Sequence, residues 1–255
     1  MAGPTTVFDL DDTLVADVAT ARASVGKAAA LLPEVDPTRV EEVVFGTARR
    51  LWRAGPYWDV GRELGIASWE ALWATFEGDH GVVDGLEEWA RRYRPEVWKA
   101  VLAELGVADP DVARAMAEAY IEAQRGGHRL LAGAAEVVRS LRHRGPVGLL
   151  TNGPSDIQRR KLETAGLVHA FDAVVISGEV GMGKPDPAVF AYVLDQLGAT
   201  ASTAVMVGDS WKRDVLGALG AGMGAVWVAG GRTRPDGHPG VRVIDHVGEL
   251  LDGNG

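Results

Sequence analysis

The sequence predicts an α/β protein in which a doubly wound, mainly parallel sheet is interrupted by an inserted α-helical cap. Three observations carry that prediction. Short apolar runs alternate with helical patterns through the C-terminal half, the order of a Rossmann-like sheet. Residues 17–126 contain no comparable strand run. Composition also shifts along the chain: six of the eight tryptophans fall between residues 52 and 98, while 21 of the 33 glycines follow residue 130. The expected core is residues 1–16 and 127–255, and the expected cap is residues 17–126.

In chain order, Thr5-Thr6-Val7-Phe8 is the first expected strand. Within the insertion, Trp69, Leu72, Trp73 and Phe76 recur at helical spacing and mark one helix face. Val97, Trp98, Val101, Leu102 and Leu105 mark a second, opened by Pro95 and closed by Gly106. Val112, Met116 and Tyr120 mark a third. Aromatic stripes of this kind are read as core, with some aromatic surface left to close over a ligand. The chain returns to the sheet near Gly126-Gly127. Residues 147–150, 173–176, 204–207 and 225–228 are apolar runs bounded by polar residues or glycine, which suits strands buried on both faces. Ser155 is expected to cap a helix that stops at Gly166. Pro187 opens another that stops at Gly198, with Phe190, Val193, Leu194 and Leu197 on one face.

Composition narrows the function. Of 255 residues, 47% are hydrophobic and 24% charged, so the chain can bury a sizeable core. No apolar run approaches the roughly 18 residues of a membrane span, and Met1 to Thr6 lacks the pattern of a signal peptide. There is no cysteine, which excludes disulfides, thiolate metal sites and cysteine nucleophiles and fits a cytoplasmic location. The formal net charge of −9 disfavours nucleic acid and anionic lipid as partners. A small anionic substrate remains compatible, because a metal ion and a local lysine reverse the sign within one pocket.

Polar groups gather where such sheets bind ligands, beyond the carboxyl ends of the strands. The first strand runs into Asp9-Leu10-Asp11-Asp12-Thr13-Leu14, and a spacing of two aims Asp9 and Asp11 to the same side. The second runs into Thr151-Asn152-Gly153-Pro154. The fourth runs into Gly208-Asp209-Ser210, with Asp214 one turn further on. Carboxylates packed together repel unless a cation binds, and hard oxygen ligands favour Mg²⁺. Gly178 to Lys184 spells G-x-x-x-x-G-K, but Pro185 replaces the hydroxyl residue of a P-loop. The glycines at 220, 222 and 224 precede a strand, the reverse of a dinucleotide fingerprint. The histidines at 80, 128, 143, 169, 238 and 246 show no metal-ligand spacing and are expected at the surface or at helix ends.

With these motifs in order, the sequence resembles the haloacid dehalogenase superfamily, specifically phosphatase-like members with a helical cap after the first strand. Asp9 to Leu14 resembles the first motif, Thr151-Asn152-Gly153 the second, Lys184-Pro185-Asp186-Pro187 the third, and Gly208-Asp209 through Asp214 the fourth. The resemblance covers residues 5–16 and 130–230; the insertion matches in position and helical character and is long. It implies that Asp9 is the nucleophile, forming an aspartyl-phosphate, and that Asp11 is the general acid and base. It implies Mg²⁺ held by Asp9, the Asp11 backbone carbonyl and Asp209, with Asp214 in support. Thr151, the backbone around Asn152 and Gly153, and Lys184 would hold the phosphoryl oxygens; outside its motif Lys184 reads as an ordinary surface lysine. The implied activity is Mg²⁺-dependent hydrolysis of a small phosphorylated metabolite. A sugar phosphomutase of the same superfamily would keep the same groups. A regulatory module would be expected to lose one of them, and none is lost. Asp11 argues against a haloacid dehalogenase or a phosphonatase.

Overall fold

The computed structural model describes residues 3–79, 81–235 and 238–251. In chain order the elements are β1 (Thr5–Phe8), α1 (Asp17–Ala29), α2 (Pro37–Ala54), α3 (Trp58–Leu64), α4 (Leu86–Glu104), α5 (Pro110–Arg125), α6 (Ala134–Arg142), β2 (Val147–Thr151), α7 (Ser155–Thr164), β3 (Ala173–Ile176), α8 (Ser177–Val180), α9 (Pro187–Gln196), β4 (Ala204–Gly208), a π-helical turn (Trp211–Leu216), α10 (Gly217–Gly220), β5 (Gly224–Val228) and β6 (Arg242–Ile244).

Among the described residues one sheet carries six strands in the order β3-β2-β1-β4-β5-β6, every pair parallel. The two-residue side-chain period explains why β1 is buried throughout. Phe8 enters a layer with Leu149 and Val207 under α6 and α7, and Val7 enters the opposite layer with Leu150 and Met206 under α9. Helices on both faces make the sheet doubly wound, as expected. Strand order reverses at β1, flanked by β2 and β4, so the loops leaving these three strands diverge around one crevice. The expected strands are all present. β6 was not anticipated: it is a three-residue edge strand with only Ile244 buried, too short to leave an apolar run.

Between β1 and β2 the helices bury their own cluster, including Val43 and Val44 of α2, Trp98 of α4, and Met116 and Tyr120 of α5. Three expectations change here. Residues 68–73 form successive turns rather than a helix, although Leu72 and Trp73 are buried and Trp69 half-buried. The segment is drawn to α7 by side chains: Asp156 accepts hydrogen bonds from Thr75 N (2.6 Å) and Phe76 N (3.3 Å), and Phe76 turns to a positive φ of 61°. Pro95 lies inside α4 instead of opening it, because Ala90, Tyr93, Val97 and Trp98 are buried on both sides of it and hold the helix through the missing bond. Ser155 is the first helical residue of α7 and not its cap. Its N–H donates to Asp79 Oδ1 from the insertion (2.7 Å) and its hydroxyl to Glu179 Oε1 (2.8 Å). Pro187 does open α9, behind Asp186, whose carboxylate caps Ala188 N at 2.9 Å.

The histidines are also mixed. His143, His169 and His246 are exposed, and the expectation for His80 lies outside the described residues. His128 is buried, drawn in by Asp17, whose Oδ1 lies 3.3 Å from Nε2.

Candidate active site

Asp9 N–H extends the β1 ladder to Val207 O (2.9 Å), and the chain then turns sharply, Leu10 O receiving the N–H groups of Leu14 (2.8 Å) and Val15 (3.0 Å). Asp12 takes a left-handed φ of 54° in that turn and accepts the N–H groups of Asp17 and Val18 at the start of α1. Asp12 therefore serves the turn. The turn sends Asp9 and Asp11 into two different clusters, each centred on a buried lysine.

The first cluster joins three strand ends. Lys184 Nζ lies 2.6 Å from Asp9 Oδ1 and 2.7 Å from Asp214 Oδ1, and the side chain is buried. Asn152 fixes the lysine's backbone from both sides: Nδ2 donates to Lys184 O and Oδ1 accepts from Lys184 N, both at 2.9 Å. Its amide is thus committed to holding the Lys184 loop. Thr151 is fully buried, with Oγ1 accepting from Gln158 Nε2 at 2.6 Å. Gly153 adopts a φ of 135°, and its N–H donates to Leu64 O (3.1 Å) and Ser177 Oγ (2.9 Å), so this N–H is already occupied. Asp214 Oδ2 accepts Ser210 N–H at 2.8 Å. A Cβ at Gly208 would come within 2.3 Å of that same oxygen, which reserves the end of β4 for glycine. Asp209 is half-buried, with Arg232 Nη2 at 3.2 Å from Oδ2.

Asp9, Asp209 and Asp214 each offer a carboxylate oxygen, all lying within 4.8 Å of one another. Burial, reinforced by Asp214, pushes the Asp9 pKa up to about 6 against the pull of Lys184. Burial and the charges of Asp9 and Asp214 push Asp209 up to about 7. Three hard oxygen donors packed this closely suit a divalent cation of the Mg²⁺ type.

The second cluster was not read from the sequence. Lys161 of α7, 0% exposed, places Nζ 2.8 Å from Asp11 Oδ1, 2.7 Å from Asp17 Oδ1 and 3.0 Å from Glu70 Oε1. Gln158, one turn earlier, donates to Asp11 Oδ2 at 2.9 Å, and Trp69 Nε1 donates to Asp17 Oδ2 at 3.2 Å. Burial raises the Asp11 pKa to about 6 despite Lys161. Burial raises Glu70 to about 7, with Asp17 and Asp11 adding to it and Lys161 opposing. At Asp17 burial acts upward too, but the charge and bond of Lys161, with His128 close by, outweigh it and hold the carboxyl well below the usual range. Burial favours a neutral Lys161; the three carboxylates prevail and keep it protonated.

Both clusters open on one cavity of about 400 Å³, bounded by Asp9, Asp11, Asp209, Asp214 and Lys184 below and by Trp58 and Trp69 of the insertion above. Asn152 also lines it.

An open parallel sheet with carboxylates grouped at its switch point, under a helical insertion, defines a class of α/β hydrolases. The chain belongs to the haloacid dehalogenase-like hydrolase family, whose model matches residues 5–222, and it is an enzyme of that family. It is 39% identical over 246 residues to a phosphoserine phosphatase of Thermus thermophilus, covering 94% of each chain. It is 32% identical to the pyrimidine 5'-nucleotidase YjjG of Escherichia coli, over 70% of this chain and 76% of that one. Among solved structures, a magnesium-bound HAD-hydrolase, YfnB of Bacillus subtilis, superposes with a TM-score of 0.68 at 20% identity, covering 99% of this chain and 98% of the other. The L-2-haloacid dehalogenase of Xanthobacter autotrophicus does so with 0.61 at 20% identity, covering 98% and 97%. These two share the fold. No helix among the described residues is long and apolar enough to cross a membrane.

Proposed function

We propose that the chain is a Mg²⁺-dependent phosphomonoesterase that hydrolyses a small phosphorylated metabolite in the cytoplasm through an aspartyl-phosphate on Asp9. Residues 1–16 and 127–255 form the catalytic core in this reading, and residues 17–126 the cap. The observation that carries it is the pair of carboxylates in one cavity with different partners: Asp9 against Lys184, Asp11 against Lys161 and Gln158. Two carboxyl groups in separate environments can divide the work of nucleophile and proton carrier. The phosphatase and nucleotidase relatives support the same reading.

Asp9 attacks phosphorus and its oxygen forms the new P–O bond as the bond to the leaving oxygen breaks. Asp11 gives that oxygen its proton. Water then attacks the phosphorus, Asp11 takes a proton back, and the bond to Asp9 breaks. A pKa of about 6 equips Asp11 for both transfers near neutral pH. Lys184, clamped by Asn152, steadies the phosphoryl oxygens beside Asp9, and Thr151 supports them from the end of β2. Asp9, the Asp11 carbonyl and Asp209, with Asp214 in support, would hold Mg²⁺, which supplies neutralisation of phosphate charge.

The test is inorganic phosphate release from a metabolite panel headed by phosphoserine, with and without Mg²⁺. Release that stops in excess chelator, without any bisphosphate activator, is the expected result. No release from any substrate, or full release in chelator, overturns the reading.

A further inference from the structure

The cavity is electrically divided. Every carboxylate that lines it already has its own partner. Asp9 and Asp214 share Lys184, and Asp11, Asp17 and Glu70 share Lys161. Asp209 pairs with Arg232, and Asp12 accepts two backbone N–H groups. Four guanidinium groups line the same cavity without drawing on any of these: Arg49 and Arg53 of α2, Arg62 of α3, and Arg213 of the π-helical turn.

Arg49 and Arg213 have no acidic partner among the described residues. Arg53 lies over the Trp58 ring, 5.6 Å from its centroid, which steadies the guanidinium while leaving its donors free. Arg62 meets only Asp59, at 3.5 Å, with both side chains more than half exposed, a contact of little worth. Arg49 and Arg53 stand one helical turn apart on the exposed side of α2, beside the buried Trp52. The indole Nε1 of Trp52 is itself a buried donor with no acceptor among the described residues. The floor's carboxylates share only Lys184, Lys161 and Arg232 and keep an acidic excess suited to a divalent cation, while the guanidinium groups of the wall are not spent on them.

We propose that these arginines select a substrate bearing a second anionic group, a carboxylate in a cavity of this size, at the end remote from its phosphate, with Arg49 and Arg53 as the principal contacts. The proposal rests on the phosphomonoesterase reading for the position of the phosphate at Asp9. A guanidinium fork matches a carboxylate bidentately, and a hydrogen bond to a charged group changes affinity by about ten- to a hundredfold. Arg49 and Arg53 are exposed, which puts the lower figure in force for each.

Two matched pairs isolate the carboxylate: phosphoserine against phosphoethanolamine, and 3-phosphoglycerate against glycerol 3-phosphate. The full chain with Mg²⁺ should favour the carboxylate-bearing member of at least one pair by about tenfold or more in kcat/KM. The double variant Arg49→Gln, Arg53→Gln should shrink that ratio by a similar factor, chiefly through KM, and Arg49→Lys with Arg53→Lys should restore part of it. Ratios near one in both pairs, or ratios untouched by the double glutamine variant in a normally folded protein, overturn the proposal. Calorimetric binding of the same four compounds to Asp9→Asn separates the two readings. Carboxylate-dependent binding without any hydrolysis by the unaltered chain would remove the phosphatase reading and leave this one standing. Binding indifferent to the carboxylate would remove this one.

Discussion

The two buried lysines make the clearest comparison in the molecule. Asp9 follows β1, Asp214 lies in the π-helical turn after β4 and Lys184 in the loop between α8 and α9, so the sheet and its own connections assemble that cluster without the insertion. Lys161 gathers Asp11 from the sheet edge, Asp17 from the first residue of α1, and Glu70 from the turns of the insertion. One cluster is built within the core, and the other fastens the insertion to it. The proposed nucleophile belongs to the first and the proposed proton carrier to the second. Removing Asp11's carboxylate from a common pool with Asp9 gives each a separate electrostatic environment, and it ties the position of Asp11 to the seating of the insertion.

The sharpest way to break this comparison is to delete each carboxylate in turn. Asp9→Asn should abolish both phosphate release and any phosphoenzyme, the largest effect expected. Asp11→Asn should lower steady turnover by about 10²- to 10⁴-fold, the usual worth of general acid–base catalysis. With p-nitrophenyl phosphate the leaving phenolate is stable without protonation, so the first step should outlive the second. Rapid-quench mass spectrometry of Asp11→Asn should then find a phosphoryl adduct on Asp9 after a nitrophenolate burst. An adduct in Asp9→Asn, or turnover by Asp11→Asn at the unaltered rate, would exchange or erase the roles.

Lys161→Met attacks the second cluster directly. It leaves the buried Asp17 and Glu70 and the half-buried Asp11 without their cation, and breaking a buried ion pair from one side costs roughly 3–5 kcal/mol. Urea unfolding should show a loss of that order. Glu70→Gln keeps one oxygen for Lys161 and gives up the acceptor of Ala67 N–H (2.9 Å in the unaltered chain), and it strands no buried charge, so its loss should be distinctly smaller. Equal losses would mean that Glu70, and not the lysine, organises the cluster.

Why one cluster was legible and the other was not follows from where the residues sit. Asp9, Asp209 and Asp214 follow apolar strands, and the open-sheet rule directs attention to strand ends. Lys161 sits in Gln158-Arg159-Arg160-Lys161-Leu162-Glu163, a charged helical stretch that reads as solvated. Its burial depends on Glu70, 91 positions away, arriving opposite it. The only local hint is Gln158 and Lys161 one turn apart on the face that carries Leu162 and Ile157 inward. The same long-range contacts defeated the helix expected around Trp69, because Glu70 and Asp156 tie that segment to α7 in a way no periodicity records. Pro95 misled for the opposite reason: a strong local signal was overruled by packing on both sides of it. The strands, whose burial follows from their own composition, were read with little error.

The smallest expected effect tests the fastening from its other end. Asp79 of the insertion accepts Ser155 N–H at the start of α7 (2.7 Å), while its Oδ2 is buried without a partner among the described residues. A negative charge at a helix N-terminus is favourable by about 0.3–1 kcal/mol. Burial opposes it, and although the Ser155 bond helps, the like charges of Asp156 and Glu179 add to the cost, so the pKa stands at about 7. The upward shift means that burial and repulsion win over the helix terminus. A raised carboxyl pKa favours the protonated folded state, so this group's contribution to stability falls as pH rises from about 4, where the unfolded chain ionises, through about 7. Asp79→Asn keeps an oxygen for Ser155 and carries no charge. It should match the unaltered chain near pH 4 and exceed it at pH 8, by about 1 kcal/mol because water reaches part of the carboxylate. Paired urea titrations at the two pH values measure the difference directly. A variant less stable at pH 8 would show that the helix terminus outweighs burial there, and that the charge on Asp79 helps to hold the insertion in place.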